Sequence, residues 1–378
     1  MNSERNKLPN DYNNWCPEIY RGMFVDRIND DQIRVAPCCQ AGSSIEPVDN
    51  FNFNTSPHLS KLRQQFNNGE KPSACNNCWK VEKVGHKSRR QSSIEFFNIA
   101  TPNTDVVLEG LDHSATWACN LACIMCSPNS SSTWASELNY TKTELINIGR
   151  QFQKSNQFLD KIDLSSIKKI HFNGGEPLLN NDQSNLLEEL DKQGVLKDTF
   201  ISYNTNGTIM PSTKIINLWK KARLVKLFFS IDATQSAFEY IRWPAKWETV
   251  KSNLLAMKEQ LPHNVMFGFN VTVGCYNLFE MVDVCKWFDQ NLQSNRENDQ
   301  SDFNWQLADN FAIKNLNQEA KISAIEWLNS TPRLHGIVNH IKSTLPAVGN
   351  NDWVNALDII DQRRGTDWRN SLQIAKYY

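Results

Sequence analysis

Apolar runs with the alternation of β-strands take turns with amphipathic stretches in the middle of this chain, from about residue 106 to residue 330. Six runs are predicted to be strands: 106–111, 167–172, 200–203, 224–231, 265–273 and 303–307. Four stretches with helical spacing are predicted to be helices: 183–193, 247–260, 278–290 and 317–328. Strands that alternate with helices in this way form parallel βα units, so the pattern predicts an α/β fold.

Composition excludes several classes of protein. The chain has 378 residues, 40% hydrophobic content and a formal net charge of -1, so it is long enough to bury a substantial core. Because there is no basic excess, we expect no nucleic-acid partner. No apolar run approaches the roughly 20 residues that span a bilayer, and no apolar segment follows the first residues as in a signal peptide. We therefore expect no membrane association and a cytoplasmic location.

The ten cysteines occur in clusters rather than as scattered pairs. In a chain without an export signal, this distribution indicates metal ligation instead of disulfides. Three of them, Cys119, Cys123 and Cys126, have the spacing C-x3-C-x2-C. A structural zinc site prefers four protein ligands, whereas a 4Fe-4S cluster bound by three cysteines keeps one iron open. This motif resembles the signature of radical S-adenosylmethionine (radical SAM) enzymes.

A second motif extends the resemblance. The sequence Gly174-Gly175-Glu176, flanked by Asn173 and Pro177, directly follows a predicted strand. Two glycines let the backbone approach a ligand closely, and the glutamate can accept hydrogen bonds from an amine. In the radical SAM family this motif holds the amino group of S-adenosylmethionine.

Polar residues after later strands resemble the remaining cofactor contacts of the family. The resemblance assigns Asn204, Ser230 and Asp232 to the ribose and methionine parts of S-adenosylmethionine. Helix capping or turn formation is the alternative role for polar residues at such junctions. Arg242 is expected to bind the methionine carboxylate, because a guanidinium group suits bidentate recognition. A salt bridge unrelated to substrate is the alternative for Arg242.

The resemblance also implies the fold, which is a partial (β/α)6 barrel of the TIM type over residues 106–330. Ligand sites of parallel barrels gather at the carboxyl ends of the strands, and the motifs described above fall there. Residues 1–105 are expected to form a small cysteine-rich module. Residues 331–378 are expected to form a short helical tail that matches no family motif and caps the barrel.

Five cysteines precede residue 80. We predict that Cys16, Cys38, Cys75 and Cys78 ligate an auxiliary iron-sulfur cluster, with Cys39 as the alternative to Cys38. The pattern resembles twitch or SPASM modules, placed here before the barrel, although an all-cysteine zinc site would satisfy the same spacing. A cluster fully ligated by protein cannot bind substrate, so its expected role is electron transfer or organisation of the fold.

The resemblance implies a specific chemistry. In the family, a reduced 4Fe-4S cluster donates one electron to S-adenosylmethionine, and the resulting 5'-deoxyadenosyl radical abstracts hydrogen from a substrate. This chain is therefore expected to be a radical SAM oxidoreductase or maturase that acts on a peptide or a sugar-like small molecule. Its expected electron donor is a flavodoxin or a ferredoxin. Electron acceptance by the auxiliary cluster would make the reaction a net oxidation.

Two other functions stay open. A redox-neutral peptide epimerase or crosslinking maturase would use a thiol to return hydrogen, and Cys275 at the end of a predicted strand is the candidate. A buried structural role is the competing interpretation of Cys275. A non-catalytic iron-sulfur or zinc binding protein would keep the cysteines, but the intact glycine-glutamate motif disfavours it.

Overall fold

The computed structural model describes residues 14–29, 31–83, 87–99, 101–148, 162–179, 182–292, 303–345 and 349–378. These residues contain a single large sheet. Its strands are β1 (Gly22–Arg27), β2 (Gln32–Ala36), β3 (Ser44–Pro47), β4 (Gly110–Thr116), β5 (Lys169–Gly174), β6 (Phe200–Thr205), β7 (Leu224–Phe229), β8 (Val265–Val273) and β9 (Phe303–Leu307).

The strand order is β3-β2-β1-β4-β5-β6-β7-β8-β9, so the sheet is open with β3 and β9 at its edges. β2 pairs antiparallel with both β1 and β3. All other neighbours pair in parallel. The six strands from β4 to β9 follow one another in chain order, which is the arrangement of consecutive parallel βα units. The predicted α/β fold with a partial, open barrel is confirmed.

Alternation along the strands gives the sheet one apolar face and one polar face. Ile170 and Phe172 in β5 are fully buried, as are Ile201 and Tyr203 in β6. The Phe172 and Tyr203 rings stack with their centroids 4.8 Å apart. The residues between them, such as His171, lie on the opposite face because successive side chains of a strand alternate. The apolar side chains form the core of the molecule, and the polar side chains lie on the other face of the sheet.

The first barrel strand differs from its prediction. The sequence pattern placed it at 106–111, but β4 spans Gly110–Thr116. Residues before it instead run beside the N-terminal segment, where the Val107 N–H donates to the carbonyl of Tyr20 at 3.1 Å. The prediction failed because β4 contains the buried polar residues Asp112, His113 and Ser114, which hide the strand from a hydrophobicity pattern.

Helices connect the strands and cover the apolar face. They are α1 (Glu18–Arg21), α2 (Pro57–Asn67), α3 (Asn76–Lys83), α4 (Arg89–Phe96), α5 (Ser132–Glu137), α6 (Lys142–Asn147), α7 (Asp182–Lys192), α8 (Thr213–Trp219), α9 (Gln235–Ile241), α10 (Trp247–Gln260), α11 (Met281–Asn291), α12 (Gln318–Asn329), α13 (His335–Ser343), α14 (Asp352–Arg364) and α15 (Trp368–Ser371). The helix predicted at 247–260 has those bounds in the structure. The one predicted at 278–290 begins later, because a 3-10 turn occupies Leu278–Glu280.

The cysteine-rich N-terminal segment is joined to the barrel through the sheet itself. β1 pairs in parallel with β4, with Phe24 opposite Asp112. β2 and β3 extend the sheet further on that side. The boundary proposed near residue 105 therefore does not coincide with a break in the sheet, and the N-terminal cysteines lie beside the first barrel strand.

The C-terminal tail is packed into the molecule. Trp353 and Trp368 are buried, and their ring centroids lie 5.6 Å apart. Leu357 and Ile360 on α14 are buried as well. In the part of the chain that the structure covers, no helix has the length and apolar character needed to cross a membrane.

Candidate active site

The three central cysteines lie in a loop between β4 and α5, residues 117–131, which we call the cysteine loop. The first residues of α5 hold this loop in place. Thr133 Oγ1 donates to the carbonyl oxygen of Cys119 at 2.6 Å. Trp134 Nε1 donates to the carbonyl oxygen of Cys123 at 2.7 Å. Because both contacts involve the backbone of cysteine residues, the start of α5 positions the thiols.

The three thiols of the cysteine loop differ in their exposure to solvent. Cys123 is buried, while Cys119 and Cys126 are partly exposed. Hydrogen bonding with Cys126, together with the nearby Arg242 guanidinium, lowers the pKa of Cys123, and the same hydrogen bond raises the pKa of Cys126. Of the two thiols, Cys123 therefore loses its proton first, and the thiolate is the form that binds metal.

The placement of side chains bears on the kind of metal group that fits. Among the residues described, no group of three or more His, Cys, Asp or Glu side chains is placed to hold a single metal ion. Zinc would draw its cysteine sulfurs to about 2.3 Å from one ion. The cysteine loop supplies three thiols, which is the number that leaves one iron of a 4Fe-4S cluster open, whereas a structural zinc site takes four protein ligands.

The two glycines of the second motif allow two loops to touch. Gly174 has a φ of 107°, a conformation that side chains rarely adopt. The Gly175 N–H donates to the carbonyl of Thr116 at 2.6 Å, and the Glu176 N–H donates to that of Ala118 at 2.8 Å. A Cβ atom on Gly175 would lie 2.6 Å from the Ala118 carbonyl carbon. The motif therefore lies directly against the start of the cysteine loop.

Glu176 is fully buried, and its carboxylate already accepts hydrogen bonds from other residues of the protein. Its carboxylate accepts from Thr205 Oγ1 at 2.9 Å, from the Leu178 N–H at 3.0 Å and from the Asn206 N–H at 2.7 Å. Burial raises the pKa of Glu176, and these hydrogen bonds oppose the rise. Glu176 therefore ties the end of β5 to the end of β6 through these hydrogen bonds.

Asp232 and Arg242 form a buried ion pair beside Cys123. Arg242 Nε donates to Asp232 Oδ2 at 2.7 Å, and Arg242 Nη1 lies 3.7 Å from the Cys123 sulfur. The other carboxylate oxygen of Asp232 accepts from the Thr272 N–H at 2.7 Å. Burial disfavours the charge of Arg242, but Asp232 and the nearby Cys123 and Cys126 together outweigh burial and raise the pKa of the guanidinium. The structure thus places both predicted residues at the cysteine loop and pairs them with each other.

Asn204 and Ser230 lie at the same carboxyl edge but have different neighbours. Asn204 Nδ2 lies 3.2 Å from His171 Nε2, and its Oδ1 accepts from Asn270 Nδ2 at 3.2 Å. The Ser230 N–H donates to the carbonyl of Thr205 at 2.8 Å. Asn204 therefore belongs to a row of hydrogen-bonded polar side chains on the polar face of the sheet. Ser230 directly follows the carboxyl end of β7.

Three residues of the site escaped the sequence analysis. Asn120, between two cysteines of the motif, accepts from Asn206 Nδ2 at 2.9 Å and donates to Thr208 Oγ1 at 2.8 Å. These bonds link the cysteine loop to the loop after β6. The available signals were the position of Asn120 inside the cysteine motif and that of Asn206 two residues after Asn204. Neither reveals the pairing, because it joins segments 86 residues apart.

Cys275 is fully buried among apolar side chains. Its N–H donates to the carbonyl of Phe311 at 2.9 Å, and burial raises the pKa of its thiol. The neighbouring Tyr276 packs edge-on against Phe311, with ring centroids 5.3 Å apart. This packing favours the structural interpretation of Cys275 over a hydrogen donor.

Four of the N-terminal cysteines line one small cavity: Cys16, Cys38, Cys75 and Cys78. Cys39 is exposed and does not line it. Burial raises the pKa of Cys16 and Cys38, and that of Cys75 to about 12. These thiols are therefore protonated unless a bound metal group draws the protons off. The structure separates the two adjacent cysteines that the sequence analysis left as alternatives.

Ion pairs connect the residues that line this cavity to strands β4 and β5 of the barrel. Arg89, which lines the cavity, donates to both carboxylate oxygens of Asp112 in β4, at 2.9 and 2.7 Å. Lys169 in β5 donates to Glu18, another cavity residue, at 2.6 Å. Burial opposes the charge of Asp112, but Arg89, His171 and Lys169 together outweigh burial and hold the pKa of Asp112 at about 2. The N-terminal cysteines and the barrel therefore share one electrostatic network.

Fold and site together define a class of protein: an open parallel α/β barrel whose carboxyl edge presents a three-cysteine loop against a glycine-glutamate loop. Residues 114–287 match the family model of the radical SAM superfamily. The chain therefore carries a radical SAM domain. Membership of this superfamily implies S-adenosylmethionine and a 4Fe-4S cluster as cofactors.

The sequence is similar to curated enzymes over a limited region. It is 31% identical over 124 residues to a GTP 3',8-cyclase of Petrotoga mobilis, which covers 32% of this chain and 33% of the relative. It is 28% identical over 123 residues to a GTP 3',8-cyclase of Clostridium acetobutylicum, covering 32% and 34%. The match thus spans about a third of the length of these relatives.

Two solved structures show a distant likeness. SuiB of Streptococcus suis bound to S-adenosylmethionine has a TM-score of 0.36 and 11% identity, covering 83% of this chain and 68% of that one. The enzyme anSMEcpe with bound S-adenosylmethionine and a peptide has a TM-score of 0.38 and 14% identity, covering 67% and 65%. Scores of this size carry no argument about function.

Proposed function

We propose that this chain is a radical SAM enzyme that cleaves S-adenosylmethionine reductively and abstracts hydrogen from a peptide or a sugar-like small molecule, with net oxidation through an auxiliary cluster. The observation that carries the proposal is the direct contact of the two motifs. The glycine-glutamate loop donates two backbone hydrogen bonds to the residues that lead into Cys119. Ligands held by one motif therefore lie within reach of the other.

Cys119, Cys123 and Cys126 are proposed as the three protein ligands of a 4Fe-4S cluster. Such a cluster, when bound and reduced, supplies the electron that converts S-adenosylmethionine into methionine and a 5'-deoxyadenosyl radical. The protein residues hold the thiolates in place. Arg242 places a positive charge beside the Cys123 sulfur, at 3.7 Å, and this charge favours the thiolate form. The reducing electron is proposed to come from a flavodoxin or a ferredoxin.

The contacts to S-adenosylmethionine are proposed for the residues at the carboxyl edge. Gly174, Gly175 and Glu176 would hold the amino group, because their loop lies directly against the start of the cysteine loop. The proposed contacts to the ribose and the methionine carboxylate come from a second set, namely Asn204, Ser230, Asp232 and Arg242. Arg242 keeps N–H donors for a carboxylate because a guanidinium has five, of which the contacts to Asp232 and Cys123 use a part.

The polar face of the sheet supports a substrate rich in hydroxyl or amide groups. His171 Nδ1 lies 2.8 Å from Ser202 Oγ, and Asn204 bridges His171 to Asn270. Burial lowers the pKa of His171 to about 4, so its ring is neutral at physiological pH. Neutral amide, hydroxyl and imidazole groups both donate and accept hydrogen bonds. They complement the same groups on a sugar-like molecule or a peptide.

An auxiliary iron-sulfur cluster is proposed at the N-terminal cavity, with Cys16, Cys38, Cys75 and Cys78 as ligands. Four thiols at one cavity complete a cluster without leaving an open iron, so the proposed role is electron acceptance. The ionic contacts from Arg89 to Asp112 join the lining of this cavity to β4. The proposed acceptor would therefore lie beside the first barrel strand.

Formation of 5'-deoxyadenosine tests the proposed function. Anaerobically reconstituted protein is incubated with S-adenosylmethionine and a strong reductant, and the product is measured by mass spectrometry. We expect product from the wild type and none from Cys119→Ala, because an iron without its thiolate ligand leaves the cluster incomplete. Cys285→Ala is the matched control, since Cys285 is buried in α11 away from both motifs. Equal product from Cys119→Ala and wild type would contradict the proposal.

Iron content tests the auxiliary site. Reconstituted wild type is expected to bind about eight iron atoms per chain, and Cys75→Ala about four, because the variant loses one of two 4Fe-4S clusters. Cys39→Ala is the control and is expected to keep the wild-type content, since Cys39 does not line the cavity. Zinc is measured in the same samples. One zinc per chain in place of four irons would identify a structural zinc site instead.

A further inference from the structure

One helix of the C-terminal tail, α14, reaches the cysteine loop. α14 ends at Arg364, where Gly365 takes a left-handed conformation with a φ of 66° and its N–H donates to the Asp361 carbonyl. The side chain of Arg364 is 3% exposed. Its Nη2 donates to the carbonyl oxygen of Ala122 at 2.8 Å. Ala122 directly precedes Cys123, so a residue of the tail contacts the backbone between two proposed cluster ligands.

We propose that Arg364 is a positioning residue for the cysteine loop. The C-terminal tail therefore contributes to the cluster site. This inference rests on the proposed function of the cysteine loop. Arg364 does not touch the reacting atoms in this role. It holds the peptide that carries Cys123.

The contacts around Ala122 show why a hydrogen-bond donor is needed there. The Ala122 N–H donates to the carbonyl of Trp243 at 2.7 Å, and the Ile124 N–H donates to that of Ile241 at 3.0 Å. These two bonds fasten one side of the loop to the segment that carries Arg242. Ala122 is fully buried, so its carbonyl oxygen needs a partner within the protein. Arg364 supplies that partner.

Arg364 also supports the second contact that holds Cys123. Its guanidinium lies 4.6 Å from the ring centroid of Trp134, and Trp134 Nε1 donates to the Cys123 carbonyl. The Arg364 guanidinium therefore contacts the peptide group before Cys123 directly and supports the one after it through Trp134. A planar group that stacks on an aromatic ring and donates through a fork can do both, whereas an ammonium cannot.

Glu137 keeps Arg364 in this position. Its two carboxylate oxygens accept from Arg364 Nε at 3.0 Å and from Nη2 at 3.0 Å. Glu137 is the last residue of α5, the helix whose first turn anchors the cysteine loop. The neighbouring Arg363 lies farther from Glu137, at 3.8 Å, and is partly exposed. The specific contact to the loop thus belongs to Arg364 and not to the basic pair as a whole.

The test compares the full-length wild type with Arg364→Lys and with Arg363→Met as the matched control. In metal-free protein, we expect the Cys123 thiol of Arg364→Lys to be alkylated roughly tenfold faster, because loss of a buried hydrogen bond lets the loop open more often. The Arg363→Met rate is expected to equal that of the wild type. Alkylation is mapped by mass spectrometry, and thermal melting shows whether each variant is folded.

The reconstituted proteins give the second readout. We expect the electron paramagnetic resonance signal of the reduced cluster, recorded with S-adenosylmethionine, to differ between Arg364→Lys and wild type and to be unchanged in Arg363→Met. Wild-type protein without any cluster signal would overturn the proposed function. Equal alkylation rates at Cys123 in Arg364→Lys and wild type would overturn the positioning role, whatever the iron content. If Arg364→Lys does not fold, Arg364→Met, which keeps a long side chain but has no donor for Ala122, takes its place in the same comparison.

Discussion

Gly175→Ala is expected to reduce 5'-deoxyadenosine formation at least about a hundredfold, the loss that a displacement of about 1 Å in an active site can cause. The added Cβ would lie 2.6 Å from the carbonyl carbon of Ala118 and 2.7 Å from the carbonyl oxygen of Trp117. Both are backbone atoms, so no side chain can turn away to relieve the contact. The loops must separate, and Cys119 moves with Ala118.

The measurement is the rate of 5'-deoxyadenosine formation by reconstituted Gly175→Ala at saturating S-adenosylmethionine. Gly194→Ala is the control, because Gly194 has a φ of 73° and open space around its Cα. That variant adds backbone strain without a clash and is expected to keep the wild-type rate. A wild-type rate in Gly175→Ala would show that the close approach of the two loops is not required.

Arg242→Met is expected to lower the free energy of unfolding by about 3–5 kcal/mol, the cost of leaving one partner of a buried ion pair alone. Asp232 is 0% exposed, and its Oδ2 loses the donors Nε at 2.7 Å and Nη2 at 2.5 Å. Its remaining hydrogen bond, from the Thr272 N–H, cannot compensate the full charge. The Cys123 sulfur loses a neighbouring cation at the same time.

Urea unfolding of the metal-free chain measures this effect without interference from bound iron. Arg369→Met is the control, since Arg369 forms an exposed pair with Asp358 and such pairs contribute at most about 1 kcal/mol. The double variant Arg242→Met with Asp232→Asn is expected to recover part of the loss, because no unpaired charge remains. A single variant as stable as wild type would mean that Asp232 finds another partner or is protonated in the native state.

Much of the molecule was predictable from patterns of residues that are close together in the sequence. The spacing of the three central cysteines and the glycine-glutamate motif identified the radical SAM domain, and the family comparison agrees over residues 114–287. The helix at 247–260 was predicted with its observed bounds. Such features are determined by residues within a few positions of one another, which is why a single sequence displays them.

The partners of the site residues could not be predicted in this way. Arg242 was assigned to a ligand carboxylate, and the structure pairs it with Asp232, ten residues earlier, and brings it to Cys123, 119 residues away. The strand β4 was displaced in the prediction because its polar residues are buried by the N-terminal segment. The contact of Arg242 with Cys123 and the burial of β4 both join residues far apart in the chain.

By itself, the sequence determined the chemistry that this chain is equipped for and the alternation of strands and helices that carries it. Only the tertiary structure decided how the flanking segments join the site: Cys38 rather than Cys39 lines the N-terminal cavity, and Arg364 contacts Ala122 across 242 residues. The physical reason is that a local pattern fixes backbone conformation and apolar faces, while long-range contacts follow from how those faces pack and from the need of each buried polar group for a partner.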